Sequence, residues 1–129
     1  DFGVGKSAFA TRFADDTFSE VCSSTVGLDV KTCMRVVGGR ECKLKLWEIS
    51  GGERFRIVMM GYYRRMQGIV VVYSVDDRAS FENARRWVQE IDDHDGPEPR
   101  RRLLLGHKSD LASERVVAPE DGDRLAAEL

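Results

Sequence analysis

The chain has 129 residues, which predicts a single domain or part of one. Its 20 basic and 22 acidic side chains give a net charge of -2, so no overall positive field would attract nucleic acid or an anionic membrane. The longest apolar run, residues 69–73, is far shorter than the ~20 residues of a spanning helix, and the N-terminus lacks a signal-peptide pattern. These features disfavour charge-driven binding, membrane insertion and secretion.

The first half of the chain predicts a short helix followed by a β-hairpin. Phe9 and Phe13 are four residues apart, on one face of a helix over residues 7–14. Residues 28–37 and 42–47 alternate between apolar and polar side chains and are joined by a Gly-Gly pair, which is typical of a hairpin.

The second half predicts two buried strands and two helices. Residues 69–75 form a continuous apolar run, and residues 103–105 form a second one. Between them, residues 80–91 predict a helix with Ser80 as its N-cap. Its apolar stripe contains Phe81, Ala84, Trp87, Val88 and Ile91. Pro119 is expected to open the last helix. Strands alternating with helices indicate an α/β sheet with helices on both faces.

The cysteines and the chain ends give two further expectations. Cys22, Cys33 and Cys42 are odd in number and widely spaced, and only two histidines are present to complete a metal site. We therefore expect reduced, cytosolic thiols. The first residue is not methionine and residues 124–129 stop inside a predicted helix, so we expect a fragment cut at both ends.

A glycine-rich loop opens the chain. Residues 3–7, Gly-Val-Gly-Lys-Ser, match most of the phosphate-binding pattern GxxxxGK[ST], whose first glycine would precede Asp1. Such a loop points backbone N–H groups at a phosphate, while its lysine neutralises the β/γ oxygens and its serine holds Mg²⁺. The alternative is a chance glycine turn before a helix, and the predicted helix in the expected place disfavours it. The loop indicates a nucleoside triphosphate without identifying its base.

A second segment, residues 106–110, predicts the base. It follows a predicted strand, at the edge where open α/β sheets bind ligands. A buried carboxylate of Asp110 would accept hydrogen bonds from N1–H and N2–H₂ of guanine, whereas adenine offers no matching donors. The stem of Lys108 can lie along the base. Taken alone, a solvated charged turn would be the better interpretation.

Four segments of the chain, taken in order, resemble those of the Ras-like small GTPases. They are the phosphate loop, residues 24–27 (Ser-Thr-Val-Gly), residues 47–51 (Trp-Glu-Ile-Ser-Gly) and the His-Lys-Ser-Asp segment. Residues 14–18, 53–56 and 62–64 are more similar to the Rab branch than to Ras or Rho. The resemblance implies a P-loop NTPase fold with a doubly wound, mostly parallel sheet and one antiparallel strand. Residues 1–129 would be a small GTPase domain lacking the family's first strand and its final strand and helix.

The resemblance also implies the residues that bind GTP or GDP and Mg²⁺. The nucleotide-binding residues would be Gly3, Val4, Gly5, Lys6, Ser7, Ala8, Phe18, Thr25, Gly51, His107, Lys108 and Asp110. The Mg²⁺ ligands would be Ser7, Thr25 and Glu48. Phe18 would pack edge-on against the base, although a plain core aromatic is an equal alternative. Thr25 would also sense the γ-phosphate; a capping residue is its less favoured alternative.

Several positions depart from the family's pattern. The family's Asp-Thr-Ala-Gly-Gln is Glu-Ile-Ser-Gly-Gly over residues 48–52, so Gly52 replaces the glutamine that orients the attacking water. Because these enzymes act by positioning and electrostatics, we expect slow hydrolysis. Phe2 places a ring near the γ-phosphate, and His107 replaces the usual asparagine.

The resemblance implies a Rab-type switch that hydrolyses GTP to GDP and regulates vesicle traffic on the cytosolic face of intracellular membranes. Effectors, exchange factors and GTPase-activating proteins would bind residues 24–30 and 51–66. Membrane attachment would require a lipidated tail outside this chain, and no nucleic acid is expected. One alternative is a nucleotide-binding interaction module with little or no hydrolysis. A P-loop kinase is disfavoured by Asp110 and the Rab-like segments.

Overall fold

A computed structural model describes residues 1–19, 25–50, 56–63, 65–94 and 100–129. In chain order, the elements are α1 (Lys6–Asp15), β1 (Leu28–Val37), β2 (Arg40–Ile49), α2 (Arg56–Tyr63), β3 (Gly68–Ser74), α3 (Arg78–His94), β4 (Arg101–His107) and α4 (Pro119–Glu128). A short 3-10 helix, Ala112–Glu114, lies between β4 and α4. No helix in these ranges combines the length and apolarity needed to cross a bilayer.

The predicted hairpin is confirmed. Strands β1 and β2 pair antiparallel, from Leu28 opposite Ile49 to Val37 opposite Arg40. Gly38 and Gly39 join them with φ of 59° and 77°, a left-handed conformation that glycine adopts without a Cβ clash. The second strand begins at Arg40, two residues before the predicted start.

The main core lies between the second strand pair and α3. Strands β3 and β4 pair in parallel, from Gly68 opposite Arg101 to Ser74 opposite His107. The predicted apolar stripe of α3 packs on this pair, and Trp87 is its only partly buried member. Burying a large apolar side chain stabilises the fold by about 1.5–3 kcal/mol. The buried residues of this core are Tyr63, Val71, Tyr73, Val75, Phe81, Ala84, Val88, Ile91, Val117 and Leu125.

The prediction that Ser80 caps α3 is wrong. Asp77 precedes the helix, and its Oδ1 accepts the N–H groups of Ala79 (3.0 Å) and Ser80 (3.2 Å), as an N-cap does. Ser80 instead lies buried in the first turn, where its hydroxyl accepts the Ser74 N–H at 3.0 Å and donates to the Asp77 carbonyl at 2.8 Å. The start of α3 is therefore tied to the end of β3.

The prediction of two buried strands is correct in part: residues 71–74 of β3 are buried, whereas the start of β3 and one face of β4 are not. Val71 of β3 and Leu104 of β4 face the core. Val70 and Leu103, which lie opposite each other in the register, are 44% and 54% exposed. Side chains alternate between the faces of a strand, and α3 covers only the face that carries Val71.

The described strands form two separate two-stranded sheets, β1-β2 and β3-β4. This differs from the single doubly wound sheet that the family resemblance implied. No hydrogen-bonded ladder joins β2 to β3 among the described residues, and a cavity of about 290 Å³ lies between them. Its walls include Leu46 and Trp47 of β2 and Val70 and Val72 of β3. The α/β class is borne out, with one antiparallel and one parallel pair.

Candidate nucleotide and metal site

The glycine-rich loop ends where α1 begins, at Lys6. Gly3 and Gly5 have φ of +71° and +94°, conformations that side-chain-bearing residues rarely adopt. The Phe9 N–H closes the first helical turn on the Gly5 carbonyl at 2.9 Å. No side chain of the described residues caps α1, and its first turn carries no acidic residue. Its first N–H groups therefore offer an anion site.

Lys6 lies half-buried beside this loop. Burial lowers the pKa of its ammonium, because desolvation disfavours the charged form, and the nearby carboxylate of Glu48 opposes that shift. The Lys6 Nζ donates a hydrogen bond to the main-chain carbonyl of Asp1. A partly desolvated cation of this kind interacts more strongly with a phosphate than one in bulk water.

Three side-chain oxygens converge next to Lys6, from three different parts of the chain. Ser7 lies in the first turn of α1, Thr25 precedes β1, and Glu48 is buried near the end of β2. The Ser7 Oγ lies 2.8 Å from the Thr25 Oγ1 and 2.5 Å from the Glu48 Oε1, and the Thr25 hydroxyl donates to the same Oε1 at 2.9 Å. These are the three predicted Mg²⁺ ligands.

The chemistry of this oxygen set fits magnesium. Mg²⁺ prefers oxygen donors and is usually held by one or two protein carboxylates together with substrate phosphates. Two hydroxyls and one carboxylate, placed beside a helix N-terminus, meet that description. Within the described residues, no cluster of three or more His, Cys, Asp or Glu side chains offers another metal site.

The predicted base-binding segment lies against the phosphate loop. A Cβ placed on Gly5 would be 2.2 Å from the Nδ1 of His107, so the imidazole occupies the space that any side chain at position 5 would need. Phe9 meets the same ring edge-on, with centroids 6.4 Å apart. The Nδ1 is buried and has no hydrogen-bond partner in the described part of the chain. The end of β4 and the loop before α1 are thus in direct contact.

Lys108 and Asp110 lie in a tight turn after β4. Lys108 has a φ of +61°, and its Nζ lies 3.9 Å from the Oδ2 of Asp76. The Leu111 N–H bonds the Lys108 carbonyl at 3.0 Å. Asp110 is exposed rather than buried, because this turn carries it beyond the end of the strand. The expectation of a buried carboxylate at position 110 is therefore corrected.

The other predicted nucleotide-binding residues are placed as follows. Val4 is almost completely buried, so only its backbone is available to a ligand, and Ala8 is half-buried. Phe18 is 65% exposed, which disfavours the alternative of a plain core aromatic. Gly51 lies outside the described residues, as does Gly52, the position of the missing glutamine.

Sequence reasoning missed Asp76. This residue follows β3 and faces Lys108, and the hydroxyl of Ser74 lowers the pKa of its carboxyl by hydrogen bonding. Its position at the carboxyl end of a parallel strand was a usable signal, because ligand sites of α/β sheets lie at that edge.

Comparison with known proteins identifies the family. The model of the Ras family matches residues 1–129, the whole chain. The chain belongs to the Ras family. The resemblance drawn from the phosphate loop and the His-Lys-Ser-Asp segment is thereby confirmed.

Among the relatives of this Ras-family chain, the Ras-related protein Rab-1A of Dictyostelium discoideum is 49% identical over 91% of the chain and 57% of the relative. The Ras-related protein RIC1 of Oryza sativa subsp. japonica is 46% identical over 100% of the chain and 63% of the relative. The GTP-binding protein ypt1 of Schizosaccharomyces pombe is 46% identical over 91% of the chain and 57% of the relative. The chain thus spans roughly three fifths of the length of these relatives, one of which carries the name Rab.

Proposed function

We propose that the protein is a Rab-type molecular switch that binds GTP or GDP with Mg²⁺ and regulates vesicle traffic. The observation that carries this proposal is the convergence of the Ser7, Thr25 and Glu48 oxygens beside the uncapped start of α1. A helix N-terminus binds phosphate, and an adjacent hard-oxygen set binds the divalent cation that accompanies it.

The phosphates would lie against the loop of residues 3–8. The backbone N–H groups at the start of α1 would donate to phosphate oxygens, and the ammonium of Lys6 would neutralise part of their charge. Ser7, Thr25 and Glu48 would hold Mg²⁺, which when bound draws negative charge from the phosphate oxygens. Of these three, Thr25 couples the site to the chain before β1. A γ-phosphate that engages Thr25 would therefore set the position of this segment, which is how a nucleotide drives a switch.

Asp110 would select guanine. Its carboxylate accepts from the two N–H donors of guanine, and an exposed carboxylate is free to meet an incoming base. Lys108 would lie along the base. The contact between His107 and Gly5 joins this base-binding turn to the phosphate loop, so the two ends of one nucleotide would meet residues that already touch.

Hydrolysis is expected to be slow. The Ras family consists of small GTPases, but Gly52 offers no side chain to orient water, and Gly51 would contribute only its N–H to the γ-phosphate. Phe2 is 63% exposed beside the loop. A protein with this pattern would persist in its GTP-bound form unless another protein completes its catalytic site.

Effectors and regulators would bind the surface next to Thr25. Val26 is 81% exposed and Val30 is 40% exposed, and Val30 lies opposite Trp47 in the hairpin register. Trp47 in turn contacts Tyr62 of α2, with ring centroids 5.3 Å apart. An apolar surface of this kind beside the γ-phosphate sensor suits a partner that distinguishes GTP from GDP. A lipidated tail outside the chain would attach the protein to the cytosolic face of intracellular membranes.

We also propose that residues 1–129 are one piece of a doubly wound small GTPase domain. Strands β2 and β3 face each other across the 290 Å³ cavity without pairing. A strand from outside residues 1–129 would pair with both edges and merge the two sheets into one. The apolar walls of the cavity favour such a strand, because sheets covered on both sides are built from apolar residues.

The metal site provides the test of this function. We expect the full-length protein to bind GTP with Mg²⁺ and to lose most of its affinity when a chelator removes the metal. Glu48→Gln keeps the size of the side chain and removes its charge, so its GTP affinity should be weak with or without chelator. Glu41→Gln, on the same strand but at the far end of the hairpin, is the matched control and should behave as wild type. GTP affinity that does not change on chelation would contradict the proposal.

Single-turnover GTP hydrolysis then distinguishes a switch from a nucleotide-binding interaction module. A slow but measurable conversion to GDP, accelerated by a GTPase-activating protein, supports the switch. Binding without any conversion would favour the interaction module.

A further inference from the structure

Helix α3 holds Asp1, which lies two residues before Gly3 of the phosphate loop. The Asn83 Nδ2 donates to one carboxylate oxygen of Asp1 at 2.9 Å, and the Trp87 Nε1 donates to the other at 3.0 Å. Asn83 and Trp87 are four residues apart, so they lie one above the other on the same face of the helix. One carboxylate is thus held by two donors from successive turns.

The anchor on the helix side is firm. Trp87 packs its indole against the main core and also lines the cavity beside Asp1. Its neighbours Ala84, Val88 and Ile91 are buried. An indole that packs on the core while its N–H reaches a polar partner is held at both ends, so the position of its N–H is well defined.

Asp1 also accepts a hydrogen bond from Lys6, the lysine of the phosphate-binding loop. The main-chain carbonyl of Asp1 accepts the Nζ of Lys6, while its side chain is held by Asn83 and Trp87. Any movement of Asp1 would move the partner of Lys6 and the start of the glycine loop together. Hydrogen bonds to a charged carboxylate are stronger than those between neutral groups, so this link resists such movement.

We propose that Asn83 and Trp87 are positioning residues for nucleotide binding, which act through the carboxylate of Asp1. By fixing the start of the phosphate loop to α3, they keep the loop and Lys6 in place and slow the release of the nucleotide. This inference rests on the proposed guanine-nucleotide binding. Neither side chain would contact the nucleotide itself.

The dissociation rate of a fluorescent GDP from the full-length protein, with Mg²⁺ present, measures this role. Asn83→Ala removes one donor, and Trp87→Phe removes the other while keeping a ring in the core. We expect each variant to release GDP several-fold faster and the double variant about tenfold faster, because the loop loses both of its charge-assisted anchors.

Gln89→Ala is the matched control. Gln89 lies on the same helix, and its amide donates to the carboxylate of Asp93 at 3.0 Å, away from the phosphate loop. Its loss removes an amide–carboxylate bond from α3 without affecting Asp1. GDP release from Gln89→Ala should match that of the wild type, and an increase equal to that of Asn83→Ala would overturn the proposal.

A double-mutant cycle through Asp1 excludes a merely structural role. If Asn83 acts through Asp1, then Asn83→Ala adds no further increase once Asp1→Ala is present. Fully additive effects on GDP release would show that Asn83 acts elsewhere, and wild-type release from both Asn83→Ala and Trp87→Phe would also refute the inference. Because Asn83 is exposed, its alanine variant is expected to fold, so the test does not depend on the tryptophan. A wild-type protein that binds no guanine nucleotide would instead refute the proposed function.

Discussion

Replacing Gly5 with alanine would place a methyl group on the ring of His107. Gly5 has φ of 94° and ψ of 18°, and its Cβ would lie 2.2 Å from the Nδ1 and 2.5 Å from the Cε1 of that ring. These distances are well inside van der Waals contact, and the same ring also meets Phe9 edge-on. Either the imidazole or the phosphate loop must move.

The cost has two parts. A left-handed backbone at a residue with a Cβ costs about 1–2 kcal/mol. Forcing a methyl group into occupied space adds about 1–3 kcal/mol. We therefore expect Gly5→Ala to reduce the free energy of unfolding by about 2–5 kcal/mol and to accelerate nucleotide release, since the loop that moves is the one that holds the phosphates.

Urea unfolding of the full-length protein, with GDP and Mg²⁺ at a fixed excess, separates the backbone cost from the steric cost. His107→Ala removes the ring, so combining it with Gly5→Ala should recover the steric part, a coupling of about 1–3 kcal/mol. Gly3→Ala is the matched control. It has a similar φ of 71° but nothing within 4 Å of its Cβ, so it should lose only the backbone part and gain nothing from His107→Ala. Strictly additive losses for Gly5 and His107 would refute the predicted contact.

Three further outcomes are expected. Gly52→Gln should accelerate single-turnover GTP hydrolysis. If the ring of Phe2 blocks the new glutamine, adding Phe2→Ser should produce the faster hydrolysis. A wild-type hydrolysis rate equal to that of glutamine-bearing relatives would contradict this prediction. The Ser74 hydroxyl lowers the pKa of Asp76, so its stabilisation is present above the unfolded carboxyl value of 3.8 and is lost as pH falls through the lower folded pKa. Urea midpoints of wild type and Ser74→Ala should therefore converge at acid pH, and a gap that stays constant would argue against the hydrogen bond. Residues 1–129 alone, with unpaired strand edges facing the cavity, should aggregate or unfold without a sharp transition, whereas a cooperative melt with full nucleotide affinity would show that no further strand is needed.

Local patterns predicted most of the elements because local physics determines them, but they did not predict helix α2 (Arg56–Tyr63). The hairpin follows from alternation and from two glycines that accept positive φ, and the buried face of α3 follows from the spacing of Phe81, Ala84, Val88 and Ile91. The phosphate loop and the start of α1 follow from the same kind of local signal. The juxtaposition of Ser7 with the distant Glu48 came from family resemblance rather than from spacing.

Contacts between distant parts of the chain determine the features that the sequence did not predict. Asp77, and not Ser80, caps α3, because the Ser80 hydroxyl is buried and accepts a hydrogen bond from the Ser74 backbone N–H. The link between Asp1 and Trp87 joins residues 86 positions apart, and no periodic pattern in either segment indicates it. The exposure of Asp110 depends on the turn after β4, which the strand pattern does not determine.

Competition between GTP and ATP for the full-length protein, with Mg²⁺ present, is the most direct test of guanine-nucleotide binding by this protein. Asp110 accepts from both donors of guanine, so GTP should bind far more tightly than ATP. Asp110→Asn should relax this preference and admit xanthosine triphosphate, whose base presents an acceptor where guanine presents its N2 donor. Equal affinities of the wild type for GTP and ATP would contradict the account.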